Sequence, residues 1–165
     1  GARALASALA ERGYRRAIIV GGEEGLRTSD ERITGFTEGF TSDGGTIERI
    51  YRGGFNRDEG ERLMNLALDD GVATGTVVFG VNDVIAIGAI TALRGAGREP
   101  GADVAFAGFD DIPTSRDVSP ALTTVRIPLE EVGYQSLRAA IDEDWEPDAA
   151  ALELTVQIRD STPGL

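Results

Sequence analysis

The sequence predicts an α/β fold, a parallel sheet with helices on both faces, and three observations predict it. Short apolar runs begin near residues 17, 46, 76 and 103, roughly 30 residues apart, the size of one strand-plus-helix unit. The segments between them carry apolar residues at helical spacing, and several close on glycine. Four such units in series require parallel strands joined by helical crossovers.

In chain order, Ala2–Arg12 places Leu5 and Leu9 four apart on one helical face, and Gly13 stops the helix. Ala17-Ile18-Ile19-Val20 is a continuous apolar run bounded by Gly21-Gly22, the pattern of a strand buried on both faces. A helix is predicted over Asp30–Thr41, a strand over Thr46–Tyr51, and a helix over Arg57–Asp70 that ends at Gly71. Thr76–Phe79 reads as a strand, Asp83–Arg94 as a helix, and Asp103–Ala107 as a fourth strand. The tail departs from the repeat. Leu122–Val125 is extended up to Pro128, because residues before proline avoid the helical region. Leu129–Ile141 is helical, Asp142–Ala149 is acidic and loop-like, and Leu152–Ile158 alternates as a late strand returning to the sheet.

Composition narrows the function. The 165 residues suit one globular domain, with no histidine, no cysteine and a net charge of −12. All 16 basic residues are arginine. Without lysine there is no Walker-type phosphate loop and no Schiff base; without histidine or cysteine there is no triad, zinc site or redox pair. The acidic balance argues against this chain gripping a phosphate backbone by itself. No apolar run reaches the roughly 20 residues of a membrane span, and nothing at the start resembles a signal peptide. The chain opens on Gly1 and turns helical at once, which reads as a piece of a longer protein.

In open parallel sheets ligands bind at the carboxyl ends of the strands. After the first strand come Thr28 and Asp30 in the loop, with Arg32 opening the helix. Gly53-Gly54-Phe55-Asn56 follows the second strand, Asn82-Asp83 the third, and Phe109-Asp110-Asp111 the fourth. A forked donor, an aromatic face, an amide and carboxylates together suit a polyhydroxylated small molecule. Each also has a plainer reading. Asp83 fits a helix cap, Asp110 or Asp111 a turn, Arg32 a surface ion pair with Asp30 or Glu31, and Phe55 an ordinary core position. A magnesium-dependent phosphoryl enzyme using Asp83, Asp110 and Asp111 is a poor fit, since no lysine steadies a phosphate. The helix from Asp83 is apolar almost all round, so both its sides need cover. A second subunit or the late C-terminal segment would supply it.

These residues match a family pattern. The run Val78-Phe79-Gly80-Val81-Asn82-Asp83-Val84-Ile85-Ala86-Ile87-Gly88-Ala89 resembles the LacI/GalR family of bacterial transcriptional regulators. So do Asp103–Ile112, Pro120-Ala121-Leu122-Thr123-Thr124-Val125, Arg32-Ile33-Thr34-Gly35-Phe36, Gly53-Gly54-Phe55 and Arg159-Asp160-Ser161-Thr162. The resemblance covers essentially the whole chain; the histidine frequent in the family at the position of Tyr14 is absent. It implies the C-terminal lobe of a periplasmic-binding-protein-like (type I) effector domain, over about 16–121 and 150–162. Segments 2–12 and 126–142 would then belong to the other lobe, with the helix-turn-helix headpiece outside the chain. It further implies ligand contacts at Arg32, Phe55, Asn82 and Asp110, with Thr28 as an additional polar contact. The expected partners are a sugar-like effector (a purine is the other class), a second copy of the chain, and operator DNA through the headpiece. A cytoplasmic location, no cofactor and no catalysis go with that reading. A sugar-transport receptor is the alternative on the same fold.

Overall fold

A computed structural model describes residues 1–142, 144–146, 148 and 152–165. The repeat forms as the sequence predicts. Helix α1 (Ala2–Glu11) leads into β1 (Arg16–Val20), α2 (Arg27–Ser42), β2 (Thr46–Tyr51), α3 (Arg57–Asp70), β3 (Thr76–Gly80), α4 (Asp83–Gly95) and β4 (Val104–Ala107). The four strands are parallel in the order β2-β1-β3-β4. From β1 the chain moves outward to β2, then returns past β1 to β3 and β4. Right-handed crossovers running in opposite directions put their helices on opposite faces. The order therefore reverses between β1 and β3, and the crevice at their carboxyl ends is where such sheets take ligands. All of β3 and β4 is buried, and β1 is buried after Arg16, as strands covered on both faces must be.

Four details differ from the sequence reading. Helix α2 starts at Arg27, so Thr28 and Asp30 lie in its first turn and not in a loop. Helix α4 is covered by α3, an element that neither alternative named. Glycines make that contact possible: a Cβ on Gly60 would lie 2.3 Å from the Ile85 carbonyl oxygen, and one on Gly88 2.0 Å from that of Arg57. A line through Val84 and Thr91 stays partly open. The late strand does not rejoin the main sheet. Single bridges from Thr123 to Ala107 and from Arg126 to Asp110 lay β5 (Thr124–Arg126) along the end of β4. Strand β6 (Thr155–Gln157) then pairs antiparallel with β5 in a ribbon of its own. A short helix, α5 (Thr114–Asp117), which the sequence did not signal, fills the turn before β5.

Helix α1, assigned by resemblance to another lobe, buries Leu5, Ala6 and Leu9 in the same apolar core as the sheet and packs on α2. Helix α6 (Leu129–Ile141) does the opposite. Only Gln135 is buried on it, while Leu129, Tyr134, Leu137 and Ile141 are exposed. Of the acidic stretch 142–149, residues 143, 147 and 149 lie outside the described residues, as does position 150, where the second segment of the lobe was expected to begin.

Candidate functional site

Arg32 reaches from the second turn of α2 across the crevice between β1 and β3. Its Nη1 donates to the Val81 carbonyl oxygen at 2.8 Å, just past β3, and its Nη2 donates to Asp110 Oδ1 at 2.8 Å. The guanidinium lies over the Phe109 ring, 4.1 Å from the centroid, which is cation–π range. The two charged side chains are 20% and 23% exposed, open to a ligand yet largely withdrawn from water. Burial lifts the Asp110 carboxyl above its usual range, and the Arg32 charge only partly offsets it. A cavity of about 300 Å³ lined by Gly1, Ala2, Thr28, Glu31, Arg32, Phe109 and Leu154 adjoins Arg32, and a second, of about 440 Å³, is lined by Asp110 and Asp111 with Arg116 and Arg126.

The structure separates the two readings left open for each remaining residue. Asn82, not Asp83, caps α4: its Oδ1 accepts from the Ile85 amide at 2.8 Å. Its side-chain amide donates to the Phe55 carbonyl oxygen at 3.4 Å, which leaves Asn82 one N–H and one lone pair unused. The Phe55 ring is half-buried against the edge of the core. Arg32 pairs with Asp110 across the sheet; Asp30 is taken by Arg52, at 2.8 Å, and Glu31 by Arg27. Thr28 and Arg32 thus line one cavity, and the Arg32 ion pair joins Asp110 to it. Asn82 and Phe55 join them only through the backbone at Val81.

Asp111 faces the other way. Its side chain is fully buried, with Arg159 at 2.5 Å, Arg126 at 2.6 Å and Arg116 at 3.3 Å. Burial pushes this carboxyl up, but Arg159 and Arg126 overcome it and hold it below its usual range. Neighbouring carboxylates are therefore placed differently, one partly exposed beside Arg32 and one a clamp joining the β4 loop to β5 and the C-terminal segment. Sequence reasoning missed Phe109 as a platform, although its place beside Asp110 is a signal. The Asp111 clamp has no local signal, because Arg126 and Arg159 stand 15 and 48 residues away. Among the described residues no cluster of acidic side chains is arranged to hold a metal, and no helix is long and apolar enough to cross a membrane.

A family model for periplasmic binding protein-like domains matches residues 6–162. The chain belongs to the periplasmic binding protein-like domain family. The HTH-type transcriptional regulator CelR of Thermobifida fusca is 29% identical over 98% of this chain and 49% of its own length. A CelR–cellobiose complex superposes with a TM-score of 0.85 at 30% identity, covering 98% of this chain and 51% of that one. A sugar-binding regulator of the LacI family from Escherichia coli, complexed with phosphate, gives 0.84 at 26% identity over 99% of this chain and 60% of that one. The LacI-type resemblance read from the residues agrees with these relatives. The periplasmic binding protein-like chain spans about half the length of the curated relatives it matches.

Proposed function

We propose that this chain is the effector-sensing part of a LacI-type transcriptional regulator, taking a small polyhydroxylated ligand, a sugar or sugar-like molecule, at Arg32 and Asp110. The observation that carries the reading is a fork and a carboxylate held together over an aromatic ring at the topological switch of the sheet. Asp110 accepts one hydrogen bond, from Arg32, so its other lone pairs await hydroxyl donors. Arg32 has further N–H groups for ligand oxygens, and Thr28 adds a hydroxyl at the rim. No covalent chemistry and no cofactor are involved. The relatives being regulators favours this over a transport receptor.

Ligand would act by its different affinity for two arrangements of this lobe and the rest of the protein, since equal affinity shifts nothing. In this reading residues 16–121 and 152–162, with α1 packed on α2, belong to this lobe, and the exposed apolar face of α6, within 126–142, meets the other. A second copy of the chain completes a dimer, and operator DNA is contacted by a headpiece outside the chain, in the cytoplasm. A thermal-shift screen against neutral sugars, sugar phosphates and purines tests it, with Asp110→Ala as control. A melting temperature raised by one hydroxylated ligand, and not in the control, is expected. No shift with any sugar, or a shift that survives Asp110→Ala, overturns the site. Operator binding by this chain alone overturns the division of labour.

A further inference from the structure

Asp83 is neither a helix cap nor a ligand contact, yet its carboxylate is sealed from solvent. Oδ2 accepts from the Ile112 amide at 2.9 Å and from Ser115 Oγ at 2.5 Å. Oδ1 accepts from Thr124 Oγ1 at 2.5 Å. The Asp83 amide donates to the Phe109 carbonyl oxygen at 2.9 Å. These contacts bracket Asp110 and Asp111 from Phe109 on one side to Ile112 and Ser115 on the other. Thr124 closes the bracket from β5, because its hydroxyl also accepts from the Asp111 amide at 3.4 Å. There is no slack in the fit: a Cβ on Gly108 would lie 2.3 Å from Asp83 Oδ1.

The bracketed pair needs such a hold. Asp110 and Asp111 have φ of 113° and 54°, the region that side chains with a Cβ enter only when their surroundings compel it. From β5 the Asp110 amide is held by the Val125 carbonyl oxygen at 2.9 Å and the Asp111 carboxylate by its arginines; on the far side, at Ile112 and Ser115, the hold comes from Asp83. No ion pair to Asp83 occurs among the described residues; hydroxyls and an amide alone compensate it. We propose that Asp83 is a positioning residue for ligand capture. By holding Ile112, Ser115 and Thr124 it fixes the left-handed turn that aims the Asp110 carboxylate at Arg32. The proposal rests on reading Arg32 and Asp110 as the ligand-binding pair.

The first test needs no ligand. The carboxyl carbon of Asp110 is titrated by NMR in the parent chain and in a Ser115→Ala/Thr124→Val variant, which keeps the Asp83 side chain but removes its hydroxyl donors. The parent midpoint is expected above the ordinary carboxylate range. The variant midpoint is expected to fall into that range as the turn relaxes and Asp110 meets water. Leu93→Ala, a core cavity away from the turn, serves as the control for lost stability without a moved midpoint. If the Ser115→Ala/Thr124→Val chain behaves like that control, the proposal is overturned. The second test measures cellobiose affinity by calorimetry. The double variant is expected to bind about tenfold more weakly, the scale of one charge-assisted hydrogen bond, with no further loss once Asp110→Asn is present. Additive losses overturn positioning. No cellobiose binding by the parent counts against the ligand reading, while the titration still decides the role of Asp83.

Discussion

At the residue scale, Asp110 and Asp111 are neighbours whose carboxyls are shifted in opposite directions from their ordinary value. For Asp110, burial outweighs Arg32 and raises the carboxyl, so its ionised form opposes folding. That penalty is complete above the raised value and disappears as pH falls below the ordinary carboxylate range. Asp110→Asn is therefore expected to leave the ligand-free chain at least as stable as the parent in urea unfolding at pH 7, while weakening the ligand response. Asp111 is the reverse case, since its arginines overcome burial and depress it. Its contribution is complete above the ordinary range and is lost as pH falls through its own lowered value. Asp111→Asn should cost about 2 kcal/mol at pH 7, less than a sealed pair would, because Arg116 and Arg126 are about half exposed. Urea unfolding down the acid range should show the gap between parent and variant closing; a gap independent of pH would contradict the clamp.

At the scale of elements, α3 and α4 meet backbone to backbone at Gly60 and Gly88. Gly88→Ala improves helix propensity by about 1 kcal/mol. A methyl group 2.0 Å from the Arg57 carbonyl oxygen forces the helices apart, at roughly 3 kcal/mol. The net expectation is a destabilisation of about 2 kcal/mol in chemical denaturation. An unchanged midpoint would mean that the helices do not cross this closely. The same crossing explains why α4 misled the sequence reading. Its all-round apolar surface states that both flanks are covered, but a covering helix from the same chain and one from a partner leave the same imprint on α4 itself.

At the scale of the whole molecule, the apolar side chains divide into a core and one exposed helix. Leu137 and Ile141 of α6 are 61% and 71% exposed, outside the cluster that holds the sheet. Substituting both by glutamate should change unfolding free energy by no more than about 0.5 kcal/mol, the range of ordinary surface changes. Binding of a hydrophobic dye, and any self-association seen by sedimentation, should fall. A large loss of stability would show that this face is buried within the chain after all.

The sequence by itself determined the sheet, its parallel sense and the edge that carries the site. Apolar runs such as Ala17–Val20 and Thr76–Phe79, punctuated by glycines, report local burial, and their spacing permits only helical crossovers. Position after the strands also offered Arg32 and the Asp110-Asp111 pair, from which the family resemblance picked Asp110. Only the tertiary structure decided which candidates meet. Asn82 also caps α4, Phe109 and not Phe55 lies under Arg32, and Asp111 is closed off by arginines from β5 and the tail. The destination of the late strand was settled by β5 occupying the end of β4. The reason is common to all of these. Periodicity and turn chemistry are written within a few residues, whereas the pairing of Arg32 with Asp110, 78 residues apart, exists only once the chain has closed its core.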